Sequence, residues 1–286
     1  MGVRLLFAKI VALSAYHFSQ RKRRLSEKSV SEVFQGRLNE DHTRNIVKGS
    51  FYHFWLDIFS LPYGCSGATL PPHHIQGLEH LHDSLERGNG AILWESSYFG
   101  RRNFAKHILF EKGFAIDQIH TYNHTGGFGG SRDRQSWVRK RVIGPYFDRC
   151  ERAFLQDIIY LGDRNSLTFT RTLVNRLKNN GILCISADGT RGQKFISAPV
   201  LGRPNLFPTG ILNLARFTGT PILPLFCYVD KKERTSLVIL PPLKVPSGLQ
   251  REDALENGVQ QFAAQLESYV RTYPEQYRRW DSSTAS

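Results

Sequence analysis

The chain's 286 residues, 41% of them hydrophobic, can bury a substantial core and fit one large α/β domain or two small ones; with no internal repeat or low-complexity tract, one domain is favoured. A formal net charge of +13 and a pI near 9.8 imply attraction to polyanions, and because no zinc framework, RNA-recognition aromatic motif or helix-turn-helix accompanies the charge, an anionic membrane surface is favoured over nucleic acid. Cys65, Cys150, Cys184 and Cys227 are scattered with no Cys-x-x-Cys pair, which argues against a zinc site or disulfide framework and for reduced thiols on a cytosolic face.

Val3–Phe18 is apolar but interrupted by Arg4 and Lys9, and it is followed at once by Arg21–Arg24. It is shorter than the roughly 20 apolar residues needed to span a bilayer and lacks a small-residue cleavage site. These features predict a helical interfacial anchor, its basic cluster contributing on the order of 1 kcal/mol per Lys or Arg near an anionic leaflet. A helix simply packed on the domain is the competing reading. Leu38–Leu61 reads as helical, with Ile46, Phe51, Phe54, Trp55 and Ile58 at three- and four-residue spacing, until Pro62, Gly64 and Gly67 break it.

Ile75–Arg87 reads as a second helix, closed by Gly88-Asn89-Gly90, and Ala91–Trp94 as a buried strand running into a turn and a helix over Asn103–Lys112. Strand-turn-helix is the usual place for an α/β active site. Gln118–Asn123 suggests a strand, and the glycine-rich Thr125–Arg134 a loop, either a substrate lid or an ordinary connection, with neither the P-loop nor the dinucleotide fingerprint. Strands are predicted over Asp157–Leu161, Gly181–Ala187, Pro221–Val229 and Ser236–Leu240, and helices over Leu167–Lys178, Ile211–Phe217 and Ala254–Arg271. Alternation of this kind predicts an α/β fold, a mixed but mostly parallel sheet flanked by helices.

The strand-turn-helix unit ends in Tyr98-Phe99-Gly100-Arg101-Arg102-Asn103. This frame resembles the active-site turn of the lipid A biosynthesis lauroyl/myristoyl acyltransferases, within the lysophospholipid acyltransferase superfamily, where His-x4-Asp/Glu often reads His-Phe-Gly-Asn-Trp-Glu. Other blocks carry the same resemblance: Arg37–Val47, Ile159–Arg164, Ile185–Arg191, Asn205–Gly210, Pro221–Phe226 and Tyr273–Trp280. The resemblance spans nearly the whole chain and implies residues 1–24 as an interfacial segment, 25–280 as an acyltransferase-like domain and 281–286 as a flexible tail. It implies transfer of a fatty acyl chain from acyl carrier protein or acyl-CoA to a lipid hydroxyl or amine, at the cytoplasmic face of a membrane.

Acyl transfer needs an activated nucleophile and a stabilised oxyanion. In the family the motif His is the base and the following acid orients it; here Tyr98 and Asn103 stand in those places. A phenol with a pKa near 10 is a poor base. Arg101 and Arg102 lowering the Tyr98 pKa or binding the oxyanion is one rescue, and Glu95, His120 or His124 serving as base is another. A catalytically inactive lipid or acyl-carrier binding protein is the alternative. The resemblance further implies an anion site from Arg164, Asp188, Gly189, Thr190 and Arg191, since guanidinium groups grip phosphate through paired hydrogen bonds. Leu201, Leu206, Phe207, Leu223 and Phe226 suit either an acyl groove or the core. His107 and Glu111 read as a helix-surface pair. No metal or organic cofactor is implied, because no ligand cluster has suitable spacing.

Overall fold

The computed structural model describes residues 2–121, 137–161, 166–189, 192–245 and 250–281. Three helices open the chain: α1 (Gly2–Phe18), α2 (Gln20–Val33) and α3 (Glu40–Ile58). Asn39 caps α3 by accepting the His42 amide at 2.8 Å, with Glu40 and Asp41 in the positive first turn. There follow α4 (Pro62–Ser66), β1 (His73–Gln76), α5 (Leu78–Glu86), β2 (Ala91–Glu95), α6 (Arg102–Glu111), β3 (Ile116–Thr121), a π-helical turn over Arg139–Ile143, α7 (Gly144–Arg152), β4 (Asp157–Leu161), α8 (Ser166–Lys178) and β5 (Ile182–Ser186). The hairpin β6 (Phe195–Val200) and β7 (Arg203–Pro208) precedes α9 (Gly210–Thr218), β8 (Ile222–Val229), β9 (Thr235–Ile239), α10 (Arg251–Thr272) and a 3-10 turn at Pro274–Gln276.

Seven strands form one sheet in the order β1-β9-β8-β2-β5-β3-β4, parallel at every pairing except β8 with β9. The fold is therefore the expected α/β domain, and the apolar runs Ala91–Trp94 and Ile182–Ile185 are central strands covered on both faces. Leu81, Phe104, Ile108, Phe147 and Cys150 cover one face with Ala91, Leu93, Ile116 and Cys184; α8, α9 and α10 cover the other, where Ile92, Trp94 and Leu183 meet Leu177, Leu212 and Phe262.

Two stretches differ from the sequence expectation. Residues from Ile75 do not continue one helix: His73–Gln76 pairs in parallel with Thr235–Val238 as an edge strand, and Gly77, at φ +79°, starts α5. Its polar composition hides an edge strand that buries little. Residues 195–208 form a hairpin whose two-residue turn, Leu201-Gly202, has both φ values positive. Pro199, Pro204 and Pro208 disguise it, a composition tolerated because β6 and β7 pair only with each other.

In α1, Ala8, Ala12 and Tyr16 are buried, whereas Leu6, Phe7, Ile10, Leu13 and Phe18 are exposed. One side of the helix packs on the domain and the other carries an apolar stripe. No helix of the described residues is long and apolar enough to cross a membrane.

Candidate active site

The carboxyl ends of β2 and β5 and the middle of β8 meet at the turn that follows β2, since Glu95 is level with Ser186 and with Leu225. The chain leaves β5 on one side of β2 and re-enters as β8 on the other, the crossing point where open α/β sheets place their sites. Gly100 is fixed by geometry: its φ is +64°, and a Cβ there would lie 1.9 Å from the Cys227 carbonyl oxygen. That approach lets the Arg101 amide donate to the same oxygen at 2.7 Å and turns the chain into α6.

The C-terminal segment clamps this turn. Phe99 bridges Tyr277, the Arg278 amide donates to the Tyr98 carbonyl at 2.7 Å, and the Gly100 amide donates to the Gln276 carbonyl at 3.1 Å. The Gln276 side chain exchanges two hydrogen bonds with the Val229 backbone, at 2.8 and 2.7 Å. Sequence resemblance marks Tyr273–Trp280, but nothing in the sequence shows that it supports a turn far earlier in the chain, Arg278 and Gly100 being 178 positions apart.

Asn103 faces away from Tyr98. Its amide donates to Asp57 Oδ1 at 3.0 Å and its Nδ2 to Asp57 Oδ2 at 3.4 Å, while Arg278 reaches the same carboxylate at 3.3 Å and also donates to the Gly100 carbonyl. Asp57, on α3, is thus the carboxylate of this corner. Among the described residues no hydrogen bond joins Tyr98 to Asn103.

Tyr98 lies half-buried beside Asp188, with Arg279 over its ring at 4.9 Å. Burial, and then Asp188, push the phenol above its ordinary pKa; Arg279 and Arg102 pull the other way and are outweighed. That direction is opposite to the one in which Arg101 and Arg102 would make Tyr98 more acidic, and it favours the protonated phenol. Asp188 is buried and accepts from the Ser96 hydroxyl and, at 2.6 Å, from the Ser97 amide. It joins the end of β5 to the start of the turn.

The two arginines of the turn have separate partners. Arg102 donates twice to Glu95 Oε1, at 2.8 and 2.7 Å, and to Ser186 Oγ at 3.0 Å. Lys106, fully buried, lies 3.1 Å from the same carboxylate oxygen. Burial alone would raise the Glu95 pKa, but Arg102 and Lys106 prevail and hold it below the usual carboxylate range. A carboxylate held that way is a weak base. Arg101 is buried, donates to Thr235 Oγ1 at 2.5 Å and lies over the Phe104 ring at 3.9 Å.

Gly189 follows Asp188 at the same edge, whereas Arg164, Thr190, Arg191, His124 and the whole glycine-rich segment Thr125–Arg134 lie outside the described residues. Leu201, Phe207, Leu223 and Phe226 are core, and Leu206 is exposed. His107 is not on the surface: it is buried and stacked on Phe154 at 4.8 Å, because α6 turns that side inward, and burial lowers its pKa. His120, near the end of β3, is buried with its Nε2 3.0 Å from Glu151 Oε1 of α7, a pairing that the sequence, with the two 31 positions apart, does not signal.

The assembled site offers a neutral phenol donor, a buried Asp188 cradled by serine and amide donors, and charged side chains mostly neutralised in pairs. No curated protein sequence matches the chain in a pairwise comparison. The family model for bacterial lipid A biosynthesis acyltransferases matches residues 3–280, and the chain belongs to that family.

Proposed function

We propose that this protein transfers a fatty acyl chain from an acyl thioester, carried by acyl carrier protein or CoA, to a hydroxyl or amine of a lipid-like acceptor. The observation that carries the reading is the Tyr98 turn itself: it is held at the carboxyl edge by Gly100 and the C-terminal clamp, and its phenol keeps its proton. A protonated phenol suits donation to the oxyanion that forms as the thioester carbonyl is attacked, a role worth about 3–4 kcal/mol per donor in such sites. Asp188, Gly189, Thr190, Arg191 and Arg164 bind the acceptor's anionic head group in this reading. The acceptor sits at a membrane surface, which the exposed stripe of α1 and the basic run Arg21–Arg24 approach from the cytoplasmic side.

Thiol release from acyl-carrier-protein and acyl-CoA thioesters, with and without a polar-lipid extract of the host, tests it. Extract-dependent release that falls on Tyr98→Phe and on Arg191→Ala supports the reading. Saturable thioester or lipid binding without release favours the second reading, a binding protein on the same scaffold, which the engagement of Asn103 by Asp57 motivates.

A further inference from the structure

The two arginines that follow Gly100 are neighbours in sequence with opposite surroundings. Arg102 grips Glu95 through one edge of its guanidinium, Nε and Nη2, at 2.8 and 2.7 Å. Burial alone would lower its pKa, but Glu95 prevails and raises it. Arg101 is 5% exposed and forms no ion pair among the described residues; Nη1 alone donates, to Thr235 Oγ1 at 2.5 Å. Its Nε is enclosed without a partner, so the edge that Arg102 uses on a carboxylate is unbonded in Arg101. Burial pulls its pKa below the ordinary value, and the attraction of Asp57 does not restore it. The Phe104 ring, 3.9 Å away, offsets part of the cost of burying that charge, yet a buried cation without a carboxylate is strongly disfavoured.

A second guanidinium and a histidine share the corner. Arg278 donates to the carbonyl of Gly100, the residue before Arg101, and lies 3.3 Å from Asp57; its Nε is also enclosed without a partner. His53 stands one helical turn before Asp57, on the same face of α3. Its Nδ1 has no partner, and burial, then Arg101, then Arg278 push its pKa down to about 3, so both guanidiniums act on this one imidazole. Unbonded nitrogens thus come to one corner from the turn, the C-terminal clamp and α3. Four cations, Arg101, Arg102, Lys106 and Arg278, stand there against two carboxylates, Glu95 and Asp57, while Asp188 and Arg279 add one charge of each sign. Two positive charges are left over, and a phosphate monoester carries about −1.5 to −2 at pH 7.

The corner lies beneath the β8–β9 turn. Thr235, which holds Arg101, is the first residue of β9, directly after residues 230–234. Tyr52 of α3 is half-buried; burial raises its pKa, Arg101 lowers it and Glu233 raises it, which places Tyr52 between the buried guanidinium and that exposed turn. Within the turn Asp230 is taken by Arg234 at 3.1 Å, leaving the exposed Lys231 and Lys232 against Glu233. The approach to Arg101 is therefore net positive.

We propose that this corner is a phosphate site, in which a phosphate monoester entering past Tyr52 is held by the unbonded edge of Arg101, by Arg278 and by an N–H of His53. Two oxygens of the phosphate match the paired donors of the Arg101 edge. The phosphate belongs either to the arm of an acyl thioester carrier or to a lipid head group, and its binding is independent of whether acyl transfer follows.

The test is titration of the full-length protein with inorganic phosphate, against chloride at matched ionic strength, followed by calorimetry, thermal unfolding and imidazole NMR. Saturable binding is expected, with an unfolding midpoint that rises by several degrees once phosphate is in large excess over its Kd. The His53 pKa should move up from about 3, because a bound anion favours the imidazolium. Arg101→Met, close in length but apolar, should bind phosphate about 10–100-fold more weakly. In phosphate-free buffer it should unfold no lower than the wild type, since the uncompensated charge is gone. Arg101→Met with wild-type phosphate affinity overturns the proposal, and a lowered midpoint beside it would make Arg101 a purely structural residue. Should the variant not fold, wild-type protein whose midpoint and His53 signal respond to phosphate no more than to chloride overturns it equally. Displacement of phosphate by phosphopantetheine and not by pantetheine supports the site with the carrier arm as its source; displacement by glycerophosphate and not by glycerol supports it with a head group.

Discussion

The two faces of the sheet bury their charges at opposite ends. On the α8 side, Asp117 and Asp157 lie at the amino edge, both paired with Arg176 at 3.6 and 2.9 Å. Toward the carboxyl edge that face is apolar and aromatic: Trp94 meets Phe262 at 4.7 Å, Phe226 meets Phe262 at 5.8 Å, and Phe226 stacks on Tyr269 at 4.2 Å. On the α6/α7 side the order reverses, apolar at the amino edge and charged at the carboxyl edge. An amino-edge ion pair clips a helix to a strand, whereas carboxyl-edge charges stand where α/β sheets do chemistry. The α8 side serves mainly as scaffold, with Tyr98 packed against its cluster at the carboxyl edge.

Perturbing each face sharpens that contrast. Glu95→Gln leaves Arg102 and the fully buried Lys106 without their counter-ion, and the expected loss is about 3–5 kcal/mol in urea unfolding. The sign of its pH dependence follows from a depressed carboxylate: Glu95 stabilises the fold above the ordinary value of about 4.3, and that share is lost as pH falls through its lower folded-state pKa. The acid limb of stability should therefore be shallower in Glu95→Gln than in the wild type. Phe262→Ala, on the scaffold face, should cost about 3–5 kcal/mol through its cavity, equally at pH 5 and pH 8, with thiol release per folded molecule unchanged. Asn103→Glu sets a second carboxylate against Asp57, and a loss of about 1–3 kcal/mol is expected, recovered when Asp57→Asn is added; a double-mutant cycle measures the coupling. Smallest of all, Leu6→Ser with Phe7→Ser should shift stability by no more than about 0.5 kcal/mol while reducing co-sedimentation with anionic vesicles.

The scaffold face is also the more legible one. Apolar runs such as Ala91–Trp94 and Pro221–Val229 announce buried central strands because nothing but burial accounts for them. Asp157–Leu161 is a strand over the residues that the sequence indicates. The edge strand His73–Gln76 and the proline-bearing hairpin escape notice because pairing, not composition, makes them strands. At the site, Tyr98, Glu95, Arg102 and Asp188 are visible in sequence through the motif frame and the Asp188-Gly189 block. Lys106 looks like an ordinary helix residue, and Asp57, Glu151 and Arg278 are 46, 31 and 221 residues from the groups they bind, Asn103, His120 and Asp57, so no spacing rule connects them.

The contact between Asn103 and Asp57 also imposes a direction on change. Exchanging Asn103 for the family's acid sets like charges face to face in a buried corner already occupied by Arg278, so the return path runs uphill while Asp57 is in place. Asp57 acts as a ratchet tooth: it must be neutralised first, and that step takes from Arg278 its carboxylate partner. The lost motif is thus held lost by a residue outside it, on another helix.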